Sequence, residues 1–262
     1  MQSEAYKITG FSAVMGALGF MVRWIQTMNI YEEETGLPNR LAPVNLWLIG
    51  LIVLTLVVLT VWVVGLRKHE AVRDYSALVG PGVAWPIFGI IGGVVLAVSG
   101  LFLLVTAGHY AAPVLRRILA VLEALAGVAA ALMALHGGKP QQAKTRQIAS
   151  VLLVLFGCMY MVVVYKENAS NPVVWNFAPE ILALCTATLA LYFLAGYQYG
   201  EIKPYTSMFF CYAGVFFCLM CVVDQGVSAD ALSYIALALL LGLWGYAQTA
   251  NIKRPSVTGV KQ

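Results

Sequence analysis

Charge is scarce in this chain. Asp, Glu, Lys and Arg make up 11% of its 262 residues, against roughly a quarter in an ordinary soluble domain. Hydrophobic residues make up 61%, more apolar surface than a water-soluble fold of this length can hide. The expected solvent is therefore lipid. Histidine is rarer still, with three in all. His69 and His136 fall in or beside connections on one side and His109 near the other. None is mid-span, which excludes paired axial histidines for a haem.

Cysteine is missing from the first half. Cys158, Cys185, Cys211, Cys218 and Cys221 all fall in three consecutive hydrophobic runs. Cys218 and Cys221 form a CxxC, but in apolar sequence with no histidine in the same run. They read as small buried thiols rather than a zinc or redox centre. Long polar stretches are lacking too: no connection between apolar runs exceeds roughly sixteen residues, which leaves no room for a soluble catalytic or nucleotide-binding domain. "HGGKP" at 136–140 lacks phosphate-loop spacing, and neither HExxH nor GxSxG occurs. No enzyme constellation, metal site or cofactor is expected. The basic residues are scattered over short loops, so no nucleic-acid partner is expected either.

What the chain does have is hydrophobic length. Eight runs, roughly 8–28, 44–66, 83–106, 113–135, 147–165, 179–197, 205–223 and 229–249, are each long enough to cross a hydrocarbon core of about 30 Å. In lipid their backbone groups must be satisfied internally, which requires helices. The ten-residue alternation of a barrel is absent. The fold expected is all-α: a polytopic bundle of eight transmembrane helices forming one domain over 1–262. No cleavable leader is evident, so the first run is expected to stay as the first span.

Basic residues set the orientation. Arg67, Lys68, Arg73, Lys139, Lys144, Arg146, Lys203, Lys253, Arg254 and Lys261 follow the even-numbered spans. The other side holds Arg40, Lys166 and most of the loop acids. The positive-inside rule then puts both termini in the cytoplasm of a cell (plasma) membrane protein. An internal repeat is also suggested. Leu41-Ala42-Pro43 and Phe177-Ala178-Pro179 each close a connection of similar length and open the next span. That matches a parallel four-plus-four duplication with halves 1–140 and 141–262.

Four charged residues within or at the ends of spans are the candidate ligand-binding groups: Arg23, Arg116, Glu123 and Glu180. Arg23 lies near enough to the outer end of span one for its side chain to snorkel, and a structural pairing explains it equally. The functional alternative is an anion- or carboxylate-binding group facing an outer cavity, and it could also supply the counter-charge of Glu123. Glu123, near the middle of span four, has no such escape. A mid-bilayer carboxylate costs at least a few kcal/mol, so it should face protein, be paired or be protonated. Arg116, Ala120, Glu123, Gly127, Ala130 and Ala134 recur at helical spacing as one stripe of mostly tiny residues. Gly89, Gly93, Ala97 and Gly100 of span three offer a matching face, so these two spans should pack closely.

Glu180 follows Pro179 in the first turn of span six, where the helix dipole favours it. Asp224 ends span seven and should be solvated or paired with Arg116 or Arg117. Trp47, Trp62, Trp85, Trp175 and Trp244 read as interfacial anchors. The tyrosines of the second half, Tyr160, Tyr165, Tyr192, Tyr197, Tyr205 and Tyr212, read as interface decoration or a ring-binding pocket. The functional expectation is a membrane protein that binds or translocates a small solute through an outward-facing cavity. Its rival is a non-catalytic membrane subunit or scaffold docking onto a membrane or soluble protein partner. The lipid bilayer surrounds it in both cases.

Overall fold

The structure is a computed structural model that describes residues 2–29, 43–71, 75–78, 84–136, 140–169 and 177–252. Glu32 to Glu34, Arg40, Arg73, Lys139, Trp175, Lys253, Arg254 and Lys261 lie outside the described residues. The helices are α1 (Gln2–Asn29), α2 (Pro43–Leu66), α3 (Tyr75–Leu78), α4 (Ala84–Thr106), α5 (Pro113–Leu135), α6 (Ala143–Asn168), α7 (Ala178–Tyr199), α8 (Pro204–Gln225) and α9 (Ala229–Ala250). Eight of them, all but α3, are long and apolar enough to cross a membrane. The described residues contain no strand. The chain is a multi-pass helical membrane protein.

Helix starts follow local chemistry. Proline occupies the first turn of α5, α7 and α8, where its missing N–H costs nothing and its φ is already helical. The Ser228 side chain caps α9 by accepting from the Ala231 N–H at 3.3 Å. Helix α1 begins earlier than its hydropathy indicates, and an exposed Lys7–Glu4 pair at 2.9 Å lies along its first turns.

Successive spans run in opposite directions, so α1 starts and α9 stops at one end, called proximal here, and the other end is distal. Helices α4 to α9 form a ring, each packing on the next, and α9 closes it against α4. Helix α1 lies outside the ring against α8 and α9, and α2 lies outside again, against α1 and α8. Helix α9 has 72% of its span buried and α2 only 22%, so α9 is the most enclosed span and α2 the rim.

The ring has no open centre at the level of Tyr160 and Tyr234. These residues come from α6 and α9, which are not ring neighbours, yet their rings stack at 5.7 Å. Phe156 abuts Tyr160 at 5.7 Å, and all three side chains are fully buried. Side chains reaching across thus fill the lumen. Tyr212 is fully buried as well, whereas Tyr165 and Tyr192 face outward. Interface decoration therefore describes only the last two. Trp244 is buried too, not an anchor, because it sits on the buried face of α9, the most enclosed span.

Helices α4 and α5 make the closest pair, as their small-residue faces predict. A side-chain carbon on Gly100 would lie 2.5 Å from the Ala124 backbone nitrogen, and one on Gly93 2.6 Å from the Gly127 carbonyl oxygen. Neither leaves room for alanine. The whole expected stripe of α5, from Arg116 to Ala134, is buried.

The second half packs each helix on the next in sequence. In the first half α2 packs on α1 and α8, and α4 on α5 and α9. A packing plan common to both halves, the mark of a duplication, is not shown.

Candidate functional site

Every candidate residue lies in the distal half, where three polar clusters meet around the α8–α9 hairpin. The hairpin turns at Gly226, whose φ of 58° suits a residue without a side chain. Asp224 and Asp230 flank the turn, and each is held by an arginine from elsewhere.

Arg23 of α1 donates through Nε to both carboxylate oxygens of Asp224, at 2.9 and 3.1 Å, and through a terminal nitrogen to Gln26 at 2.7 Å. It is 5% exposed. Of the expectations for Arg23 the structural pairing holds, with Asp224 as the partner rather than Glu123; Asp224 in turn pairs with neither Arg116 nor Arg117. The reason is topological. Helix α1 docks on α8, not on α5, so the acid that ends α8 is the one within reach.

Arg116 of α5 spends all three nitrogens. Its Nε and one terminal nitrogen grip Glu167 of α6, the latter at 2.5 Å, while the other donates to Asp230 of α9 at 2.5 Å. The guanidinium also lies 4.1 Å over the Tyr110 ring, a cation–π contact. Asp230 accepts further bonds from Tyr160 at 2.6 Å and Tyr110 at 3.0 Å. Burial, reinforced by the adjacent Asp230 charge, holds the Tyr110 phenol well above the usual tyrosine range. Tyr110 is therefore a fixed donor at neutral pH.

Glu180 of α7 accepts from Tyr234 of α9 and Gln225 of α8, both at 3.0 Å. A first-turn position alone does not account for it: Glu180 ties both arms of the hairpin to α7. Glu123 is fully buried. Its Oε1 accepts a short hydrogen bond from Ser233 of α9, and its Oε2 makes no hydrogen bond.

The four predicted residues are thus brought to one end but not into one cluster. Arg23 belongs to the α1–α8 latch. Arg116, Glu123 and Glu180 converge on the first two turns of α9. Asp230, Ser233 and Tyr234 organise that convergence, and sequence reading missed them in this role. Their spacing of three and four places them on adjoining faces of one helix, the signal that could have found them. Glu167 lies seven residues from Tyr160, the same kind of signal. It was hidden because the connecting loop seemed to begin there, whereas α6 continues to Asn168.

The clearest cavity described lies elsewhere. It measures about 460 Å³ and lies at the proximal end, lined by Val151 and Leu155 of α6, Tyr192 and Tyr199 of α7, and Lys203. None of the four predicted residues lines it. No group of three or more His, Cys, Asp or Glu side chains suited to a metal occurs among the described residues.

No family model, curated protein or solved structure matches the chain. The reading of the site therefore rests on its own chemistry.

Proposed function

We propose that this protein binds and translocates a small positively charged solute, taking it from the outer side into the distal half of the six-helix lumen. Both termini then lie in the cytoplasm, in keeping with the basic connections at the proximal end, and the membrane is the cell membrane. One observation carries the reading: the balance of charge around α9. Arg23 and Asp224 cancel. What remains is one base, Arg116, against four acids: Glu123, Glu167, Glu180 and Asp230. Buried charge of one sign is costly in lipid unless a proton or a counter-cation neutralises it, and in either case what the cluster takes up is positive. The hydroxyls of Tyr160, Tyr234 and Ser233 and the stacked tyrosine rings suit such a ligand. An anion would face four acids and one base. The distal ion pairs close the outer end in this conformation, so entry requires the Arg116 cluster to part.

The test is charge displacement. Purified protein in liposomes adsorbed to a solid-supported membrane should give a current on addition of methylammonium or sodium chloride, and none when only the anion is changed. Glu180→Gln should reduce that current severalfold. Silence towards every small cation, or an unchanged current in Glu180→Gln, would overturn the reading.

A second reading, a membrane subunit of a larger complex, draws on α2. That rim helix leaves most of its length outward, Leu46, Trp47 and Val61 included. Native mass spectrometry of gently extracted membranes would then show a stoichiometric protein partner. A solitary chain would count against it.

A further inference from the structure

Glu123 buries a carboxyl group with one unpartnered oxygen. When ionised it leaves a deficit of one positive charge, and the atoms around it define where that charge belongs. The close approach of α4 to α5 brings Ser99 of α4 beside the first turn of α9. Ser99 Oγ lies 2.7 Å from the Ala229 carbonyl oxygen and 2.8 Å from Ser233 Oγ. Ser233 Oγ lies 3.1 Å from the same carbonyl and donates to Glu123 Oε1. Two hydroxyl hydrogens therefore serve this cluster. One is taken up by Ala229 and the other by Oε1, so nothing is left for Oε2, which is buried and unpartnered.

No neighbouring cation makes up the deficit. From α5 itself comes Arg116, whose nitrogens are committed to Glu167 and Asp230. From α6 come Tyr160 and Glu167, from α9 Asp230 and Tyr234, and from α7 Glu180. Helix α4 carries no ionisable residue at all. Apart from Arg116, every one of these groups is acidic or neutral.

We infer that Glu123, Ser99, Ser233 and the Ala229 carbonyl form a site for one small monovalent cation, sodium in class, at which a proton competes for the same carboxylate. The donors are all hard oxygens, which suit alkali and alkaline-earth ions rather than soft metals. A single carboxylate balances one charge, not two, which disfavours calcium or magnesium. These oxygens stand at hydrogen-bond separations of 2.7 to 3.1 Å, so an ion enters only as the hydroxyls exchange their bonds to one another for bonds to it. The inference rests on the proposed reading that the lumen handles cations, and it names the atoms that would hold one.

The test compares thermal unfolding of the full-length purified protein in sodium chloride and in choline chloride at equal ionic strength, across a pH series. A ligand that binds only the folded state raises the midpoint. Sodium should raise it by several degrees in mildly alkaline buffer, and the difference should shrink as acidification loads the carboxylate with protons. Glu123→Gln should abolish the sodium effect and Ser99→Ala should weaken it severalfold. If Glu123→Gln does not fold, Ser99→Ala decides. Identical midpoints in both salts at alkaline pH would overturn the site, as would a sodium effect that persists in full in either variant. Charge displacement by methylammonium without sodium-specific stabilisation would sink this site and leave the cation-handling reading standing. Sodium stabilisation without charge displacement would do the reverse.

Discussion

The two ends of the bundle solve the same problem with different chemistry. At the distal end, polar side chains satisfy one another as ions: Arg23 with Asp224, and Arg116 with Glu167 and Asp230. At the proximal end, apart from the exposed Lys7–Glu4 pair, the following bonds between elements go to neutral oxygens. Tyr212 meets Thr249 at 2.8 Å and Ser12 donates to the Tyr212 carbonyl at 2.5 Å. Asn251 donates to the Leu78 carbonyl at 2.9 Å, and Tyr205 donates to that of His69. Even Arg146 gives its hydrogens to the His136 carbonyl and to Gln198. Neutral hydrogen bonds fasten helices at modest cost whichever way solvent charge changes. Buried ion pairs must be broken or made as units, since parting one leaves an expensive charge in a dry place. The distal end is therefore where a change of charge can move something, and the proximal end is where helices are held.

That contrast breaks most visibly at Asp230. Replacing it with alanine removes the acceptor for Arg116, Tyr160 and Tyr110 together. Removing one partner of a buried pair costs about 3–5 kcal/mol, although Glu167 still holds Arg116, so the lower part of that range is expected. The measurable outcome is a large loss of folded, extractable protein and a much lower unfolding midpoint. Gly127→Ala comes next. Its new methyl would run into the Ala97 backbone nitrogen, and overpacking of this kind costs about 1–3 kcal/mol. Because α4 must retreat, Ser99 should lose its hold on α9, so cation-dependent charge movement should fall with stability. Unaltered charge movement in a destabilised Gly127→Ala protein would show that Ser99 plays no part in it.

Much of this was legible in the residues, and the boundary is physical. Eight spans follow from hydrophobic length, because lipid forces the backbone of each apolar run into a helix. The burial of Glu123 follows from its stripe of glycine and alanine, since such a face exists only to meet another helix. Pairing was not legible. Which acid meets Arg23 depends on α1 docking against α8 across some two hundred positions of sequence, and no local spacing encodes that. Asp230 was hidden for a different reason. An acid just after a helix cap normally needs no partner beyond the helix dipole, so nothing in its neighbourhood marks it as the hub of the site. The distal side chains that an outward-facing cavity would need are engaged with one another, so such a cavity requires their ion pairs to part.

The smallest expected effect is also the control that sharpens the contrast. Tyr212→Phe removes one proximal hydroxyl that Thr249 and Thr9 share while keeping the ring and its packing. A neutral hydrogen bond contributes about 1 kcal/mol, and Thr249 retains a bond to the Gly245 carbonyl at 3.0 Å, so little is left unsatisfied. The unfolding midpoint should fall slightly, by far less than in Asp230→Ala, and charge displacement by small cations should match wild type. Should Tyr212→Phe instead abolish charge movement at nearly normal stability, the division of labour fails. The path of the ion would then run the full depth of the bundle, through hydroxyls whose place here is structural, and α9 would carry it from Asp230 to Thr249.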